Sequence, residues 1–345
     1  MSLQTVFRLV TRDGPSSLQA FTEPIPHIGS SDLLVKVRSV SLNYRDVAIA
    51  NSTYPLPVKD SVIPCSDMAG EVVEVGDEVG SFSIRDRVVV PVSLALLYGT
   101  VKDNLSTLGG PRDGVLRQYI ALPEHAAIKL PNSPHSYSQW AGAVTTGSTV
   151  WNAFYGQTSL NPGHTVLLLG TGGVSLTGLI FAKAAGATTI ITSSSDEKLE
   201  VAKTKYGADY TINYKTHPNW AAEVQRVTNG QGVDHVLDVG GSGTIQQSFE
   251  SLGMGGTVSV IGFLSPATQD QMPDATWLAL SKGAALRGIL GGSKEQLEHA
   301  VRFIGSRELP IPVDKVYAFA RDDIVAALEY VASGKHVGKV CINID

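Results

Sequence analysis

The stretch VLLLGTGGVSLTGLIFAKAAGATTIITSSSDEK, residues 166–198, constrains this chain more than any other. A short apolar run meets Gly170, Gly172 and Gly173. An apolar helical pattern then runs over 174–185, and a second apolar run, TTIITS, follows it. Buried strand, glycine turn, helix and second buried strand predict a parallel βαβ unit. In that setting the glycines let the backbone turn sharply and bring the unpaired N–H groups of a helix N-terminus close to a pyrophosphate. The pattern departs from its usual form at Ser175, where a third glycine would allow close packing of helix on strand. A tight turn without a ligand has the same glycines, so the weight falls on the rest of the chain.

The alternation continues. Helices are predicted over 196–206, near Trp220 and over 244–252, between the apolar runs ADYTIN, DHVLDVG, GTVSVIGF and AALRGIL. Six buried strands with helical crossovers predict an α/β fold, a doubly wound parallel (Rossmann) sheet, over 146–290. Residues 1–145 read differently: LLVKVRSVSL alternates, EVVEV and RVVVPV are short valine runs, and turns such as Gly76-Asp77 separate them. That pattern predicts a β-barrel-like domain. Residues 291–345 hold two helical patterns, 295–304 and 322–333, and a closing strand GKVCINI, expected to return to the first domain. Residues 93–111 and 265–282 read as irregular.

With 43% hydrophobic and 17% charged residues the chain has the makings of a full globular core. A net charge of -5 provides no basic field, so nucleic acid and membrane surfaces are poor partners and a small-molecule substrate is expected. Two cysteines, Cys65 and Cys341, cannot build a disulfide framework, which fits a reducing compartment, the cytoplasm by default. MSLQTVFRLVTR lacks acid and carries two arginines, as transit peptides do, yet reads as a first strand; Lys183 breaks the longest apolar candidate for a membrane span.

The motifs SLNYRD, PCSDMAGEVVEVGDEV, LGGPRDGVLRQYIALPEHAAIKLP, GTGGVS, NYKT and GKVCI follow one another in the order found in the medium-chain dehydrogenase/reductase superfamily. The chain resembles its zinc-independent quinone oxidoreductase-like branch and the zinc-type alcohol dehydrogenase-like proteins of fungi and bacteria. The resemblance implies a GroES-like catalytic domain, a Rossmann domain and an active site in the cleft between them. In zinc-dependent relatives a cysteine, a histidine and a cysteine hold the catalytic ion, and the matching positions are Asn43, Ser66 and Thr145. None is a usual zinc ligand. Asp67 matches the relatives' glutamate, Cys65 adjoins it, and 93–111 lacks the four cysteines of the structural-zinc lobe. No metal is expected at either place. No histidine pair has ligand spacing, and neither a Gly-x-Ser-x-Gly elbow nor a phosphate-loop lysine motif occurs.

NAD sites hold the adenosine ribose with an acidic residue about 20 residues after the glycines. Ser193 stands there, so nothing repels the 2′-phosphate of NADPH, and the Ser193 hydroxyl and Lys198 ammonium are candidate partners for it. By resemblance Tyr214, in Asn213-Tyr214-Lys215, contacts the same phosphate. Against this, Ser194 or Ser195 with Glu197 also reads as a helix cap, and Asp196 and Glu197 bring negative charge. The expected cofactor is NADPH, with Gly170, Gly172, Gly173 and Val174 at its pyrophosphate. By resemblance Thr146, Gly262, Phe263 and Leu290 line its nicotinamide end.

Without a metal, hydrogen-bond donors must meet the negative charge that develops when hydride arrives. A saturated ketone concentrates that charge on one oxygen, whereas an enone or quinone spreads it. The expectation is therefore a zinc-independent, NADPH-dependent reductase of α,β-unsaturated carbonyls or quinones. Its catalytic donors are Tyr54, whose Tyr-Pro pair matches the alkene-reducing branch by resemblance, and Asn43. Each also has a structural reading, packing a turn for Tyr54 and tying loop backbone for Asn43, while Thr145 and Asp46 read as structural. A metal-free carbonyl or alcohol oxidoreductase and a non-catalytic NADPH-binding protein are the alternatives. The strand in 284–290 is expected at the sheet edge, where an apolar edge invites a second copy, so a homodimer is expected.

Overall fold

The computed structural model describes residues 2–103 and 105–345. The chain divides into two compact units, Met1–Ser148 with Gly292–Asp345, and Thr149–Gly291.

The first unit opens with the antiparallel hairpin β1 (Leu3–Leu9) and β2 (Leu18–Pro24). It continues through β3 (Asp32–Ser41), α1 (Tyr44–Ala50), β4 (Asp67–Val75), β5 (Arg87–Val89), β6 (Tyr119–Pro123), β7 (Ile128–Lys129) and α2 (Tyr137–Tyr155). Neither helix was anticipated from the sequence. Seven-residue α1 is too short to show a period. In α2 apolar and small polar residues are buried alike, Trp140, Val144, Thr146, Ser148 and Phe154 among them, so no polar face marks it.

The second unit begins within α2 and carries β8 (Thr165–Leu168), α3 (Gly173–Ala184), β9 (Thr188–Ser193), α4 (Asp196–Thr204), β10 (Tyr210–Asn213), α5 (Trp220–Val227), β11 (Val233–Asp238), α6 (Ile245–Ser251), β12 (Leu252–Val260), α7 (Ala275–Lys282) and β13 (Ala285–Gly288). Its strands run parallel in the order β10-β9-β8-β11-β12-β13. The order reverses between β8 and β11, and ligands of such sheets bind outside the carboxyl ends of the strands at that reversal. The sheet is apolar on both faces, with Leu167, Ile190, Val236 and Val258 buried on one beside Phe249 of α6, and Leu168, Ile191 and Leu237 buried on the other. β13 stands at the edge, as expected. Helix α7 is a correction to the irregular reading of 265–282: it fully buries no residue, Ala275, Leu278 and Ala279 make only a short half-buried stripe with Leu278 and Ala279 against the core, and its limits come from caps, Asp274 accepting from Trp277 N and Gly283 in the left-handed region.

The last stretch holds α8 (Lys294–Arg307), β14 (Val313–Ala318), α9 (Arg321–Ala332) and β15 (Lys339–Asn343), all in the first unit. The main sheet of that unit has the order β14-β15-β3-β4-β5-β7, with β6 also paired to β3. β15 lies antiparallel to β3 in the register Cys341↔Ser41 and Ile342↔Val40. Continuing that register brings Lys339 opposite the residues just after β3. Among the described residues no helix is long and apolar enough to cross a membrane.

Candidate active site

In the second unit, β8 delivers the chain into the glycine turn. Gly170 has φ +77, which favours glycine, and its N–H donates to Thr192 Oγ1 at 3.2 Å. A Cβ built on Gly170 or Gly172 meets no atom within 4 Å, and no side chain caps the N-terminus of α3 at Gly172. Open space over an uncapped helix N-terminus fits a dinucleotide pyrophosphate. Val174 is half-buried in the first helical turn. Ser175, which breaks the glycine pattern, is buried with its hydroxyl donating to Leu169 O at 2.6 Å. Close packing comes instead from Gly178, where a Cβ would lie 2.7 Å from Leu168 Cδ2 and 2.9 Å from Leu237 Cδ2. The sequence reasoning missed this glycine, which sits one turn past the expected position.

The end of β9 is more structured than the sequence suggests. Ser193 is 4% exposed, and its hydroxyl accepts from Ser195 N at 3.4 Å. Ser195 caps α4, accepting from Lys198 N, and donates to Glu197, which holds that carboxyl below its usual range. Asp196 accepts from the Asn213 amide at 2.7 Å. Both acids that open α4 therefore already have partners. Tyr214 donates its backbone N–H to Ser193 O, and its ring is exposed. Lys198 lies half-buried in the first turn of α4, and Ser194, which the sequence suggests only as a cap, is exposed between buried Ser193 and half-buried Ser195. At the carboxyl ends of β12 and β13, Phe263 and Leu290 are exposed and Gly262 abuts Val239, a Cβ there falling 2.4 Å from Val239 O. Thr146 belongs to the first unit, 1% exposed in α2 with its hydroxyl donating to Gly142 O.

In the first unit the polar residues singled out in the sequence converge around β3, β4 and α2. Asp67 is fully buried; Oδ1 accepts from Ser66 Oγ and Thr145 Oγ1, each at 2.7 Å, and Oδ2 accepts from Thr145 N at 3.1 Å. Asn43 precedes α1, and its backbone N–H donates to Asp46 Oδ2 at 2.8 Å. Asp46 is 1% exposed, and burial pushes its carboxyl up to about 6 against the opposing charge of Arg45. The Asn43 side chain is bound through Oδ1 by Lys339 Nζ at 2.6 Å, and Lys339 also donates to Leu42 O at 2.5 Å. Lys339 was not anticipated; its only signal was a cation opening an apolar strand in GKVCI. Cys65 is buried at φ +70, and burial raises its thiol. Gly109 and Gly114 lie flush on its backbone, a Cβ on Gly114 falling 2.0 Å from Cys65 O. Tyr54 packs half-buried on the core, with the Arg45 guanidinium 5.3 Å from its ring centre. No hydrogen bond to its hydroxyl occurs among the described residues.

Residues 29–132 match the alcohol dehydrogenase GroES-like domain family and residues 173–306 the zinc-binding dehydrogenase family. A zinc-type alcohol dehydrogenase-like protein of Schizosaccharomyces pombe is 42% identical over 92% of each chain. The crystal structure of a putative alcohol dehydrogenase from Sinorhizobium meliloti covers 100% of both chains with a TM-score of 0.90 at 32% identity. A quinone oxidoreductase-like protein 2 homolog of Nematostella vectensis is 26% identical over 92% of this chain and 83% of its own. The chain belongs to the medium-chain dehydrogenase/reductase superfamily, oxidoreductases that work with nicotinamide dinucleotides.

The family includes zinc enzymes, so the donor set has to be tested against that ion. At the three positions that match the relatives' ligands, the groups are an amide and two hydroxyls. Both hydroxyls donate to Asp67 and the amide oxygen is held by an ammonium. Neutral oxygens next to a fixed cation do not fit a zinc site, which uses thiolate, imidazole and carboxylate. Among the described residues no three His, Cys, Asp or Glu side chains are placed to hold a metal ion.

Proposed function

We propose that this chain is an NADPH-dependent reductase that delivers hydride to α,β-unsaturated carbonyls or quinones without a metal. The observation that carries the reading is the chemistry at the three ligand-matching positions. Ser66 and Thr145 are spent on Asp67, which leaves the Asn43 amide and the Tyr54 hydroxyl as the polar groups available to a substrate oxygen. The dinucleotide, when bound, supplies two electrons as hydride. Hydride adds to the β-carbon, the C=C pair shifts to make an enolate, and water protonates the α-carbon. Asn43 and Tyr54 donate to the oxygen where the charge collects. NADPH is favoured over NADH because Ser193 brings no carboxylate to the end of β9, while Lys198 and Tyr214 flank it and Asp196 and Glu197 are engaged elsewhere. The cytoplasm is the expected compartment, in keeping with two free cysteines.

A homodimer is part of the same reading. Edge strand β13 exposes Leu286, and α7 nearby exposes Trp277 and Leu280, an apolar surface that a second copy could cover.

The test is NADPH consumption by purified protein with a panel of enones, quinones and saturated ketones, with products identified and a chelator added in parallel. Saturated C=C products, unchanged by chelator, are expected. A saturated ketone as the best substrate favours the carbonyl or alcohol reading that the relatives' names suggest. Stoichiometric zinc whose removal abolishes turnover defeats the metal-free reading, and no turnover with any substrate leaves a dinucleotide-binding protein.

A further inference from the structure

We propose that Lys339 is a positioning residue of this site: by holding Asn43 Oδ1 on its ammonium it fixes the carboxamide with Nδ2 outward, so that Asn43 acts on a substrate oxygen only as a donor. The inference rests on the reductase reading for its chemistry, though its geometry stands apart from that reading.

The backbone builds the contact. The ladder between β15 and β3 continues through Leu42 N to Val340 O at 2.9 Å, which brings Lys339 across from Asn43, 296 residues away in sequence. Gly338, at φ +94, has no room for a Cβ, which would lie 2.6 Å from Pro312 O, and Lys339 N donates to that same oxygen. The lysine stem runs past Gly142 of α2, where a built Cβ is 3.5 Å from Lys339 Cγ. The start of β15 is therefore held on both sides, and the ammonium has little freedom to leave Asn43.

An ammonium only donates, so it accepts one of the two orientations of an asparagine amide, the one with oxygen toward it. The NH2 group then faces away, and it has no partner among the described residues. The fixed charge also draws electron density toward Oδ1 and makes the opposite N–H a stronger donor. A purely structural role accounts poorly for the burial. Lys339 is 4% exposed, it bonds two neutral oxygens, and no carboxylate lies within 4 Å of it among the described residues. The buried Asp46 carboxyl feels the Lys339 charge, but no carboxylate among the described residues pairs directly with the ammonium; burying it on neutral oxygens is costly, and an apolar residue would fill the place at less cost.

The test uses the full chain carrying Lys339→Met, Asn43→Ala, both together, and Lys339→Arg. With NADPH and the best enone, Lys339→Met should lower kcat by roughly tenfold to a hundredfold, with NADPH affinity within about twofold of wild type. Lys339→Arg should recover part of the loss, because a guanidinium also only donates. The double variant should be no worse than the worse single variant, and the four melting temperatures should show the same non-additivity. Unchanged kcat in Lys339→Met, or additive losses in both cycles, overturns the proposal. If Lys339→Met does not fold, Asn43→Asp replaces it: the carboxylate pairs with the ammonium and raises the melting temperature but has no N–H, so kcat should fall at least as far as in Asn43→Ala. Retained kcat in Asn43→Asp overturns the proposal equally. A wild type that reduces no enone sinks the reductase reading, and the melting cycle then decides the Lys339–Asn43 link without turnover.

Discussion

The proposed chemistry turns on three side chains, Asn43, Tyr54 and Ser193, and each is held by its neighbours in a way that fixes what a substitution there would change. The Tyr54 hydroxyl has no hydrogen-bond partner among the described residues, and its ring is held between the core and Arg45. Tyr54→Phe keeps that packing and removes one donor, so turnover on the best enone should fall by about tenfold to a thousandfold with NADPH affinity nearly intact. Asn43→Ala should act in the same direction, and less strongly where water replaces the amide. Steady-state kinetics beside cofactor titration separates these effects; unchanged turnover in Tyr54→Phe removes the phenol from the mechanism. Ser193 is buried, with its hydroxyl on the backbone of Ser195, a contact that a carboxylate can also make. Ser193→Asp should therefore fold, weaken NADPH by on the order of tenfold to a thousandfold and spare NADH. A wild type that already prefers NADH in titration defeats the serine argument.

At the scale of the element, strands buried on both faces announce themselves as apolar runs, and all six of the Rossmann sheet were visible for that reason. Elements with less contrast were not: α2 is buried on nearly every side, and α7 rests on the core only through half-buried Leu278 and Ala279 while the equally apolar Trp277 and Leu280 beside them are exposed. The glycine turn shows the same division. Its three glycines and the break at Ser175 could be read, yet the glycine that lets α3 lie against β8 and β11 is Gly178, because the distance from Leu168 and Leu237 decides it. A methyl group there must push two buried leucines aside, so Gly178→Ala should destabilise the protein by about 1–3 kcal/mol. Chemical denaturation reads this directly, and an unchanged midpoint would mean that the packing has slack.

At the scale of the molecule two further outcomes can be measured. His235 in β11 is 1% exposed, neither ring nitrogen has a hydrogen-bond partner among the described residues, and burial lowers its pKa from 6.5 to about 4. The unfolded chain takes up this proton below 6.5 while the folded chain resists it down to about 4, so stability should fall by roughly 3 kcal/mol as pH drops through that window and level off below it. Urea midpoints across this range should fall less steeply in His235→Leu than in wild type; parallel curves would place the acid sensitivity elsewhere. The proposed dimer is checked by light scattering at micromolar concentration, where Leu286→Lys on the exposed edge should shift the wild-type dimer toward monomer. A monomeric wild type would count against the assembly.

The sequence by itself determined the α/β class, the doubly wound order of elements and the glycine turn, since each of these is carried by neighbouring residues or by residue type alone. Tertiary structure decided what depends on distance between remote segments. The β15–β3 ladder sets Lys339 on Asn43, Asp67 gathers Ser66 and Thr145, and Gly178 closes the helix on the sheet. No local pattern encodes those contacts, because each joins residues that meet only once the strands have paired and the core has closed.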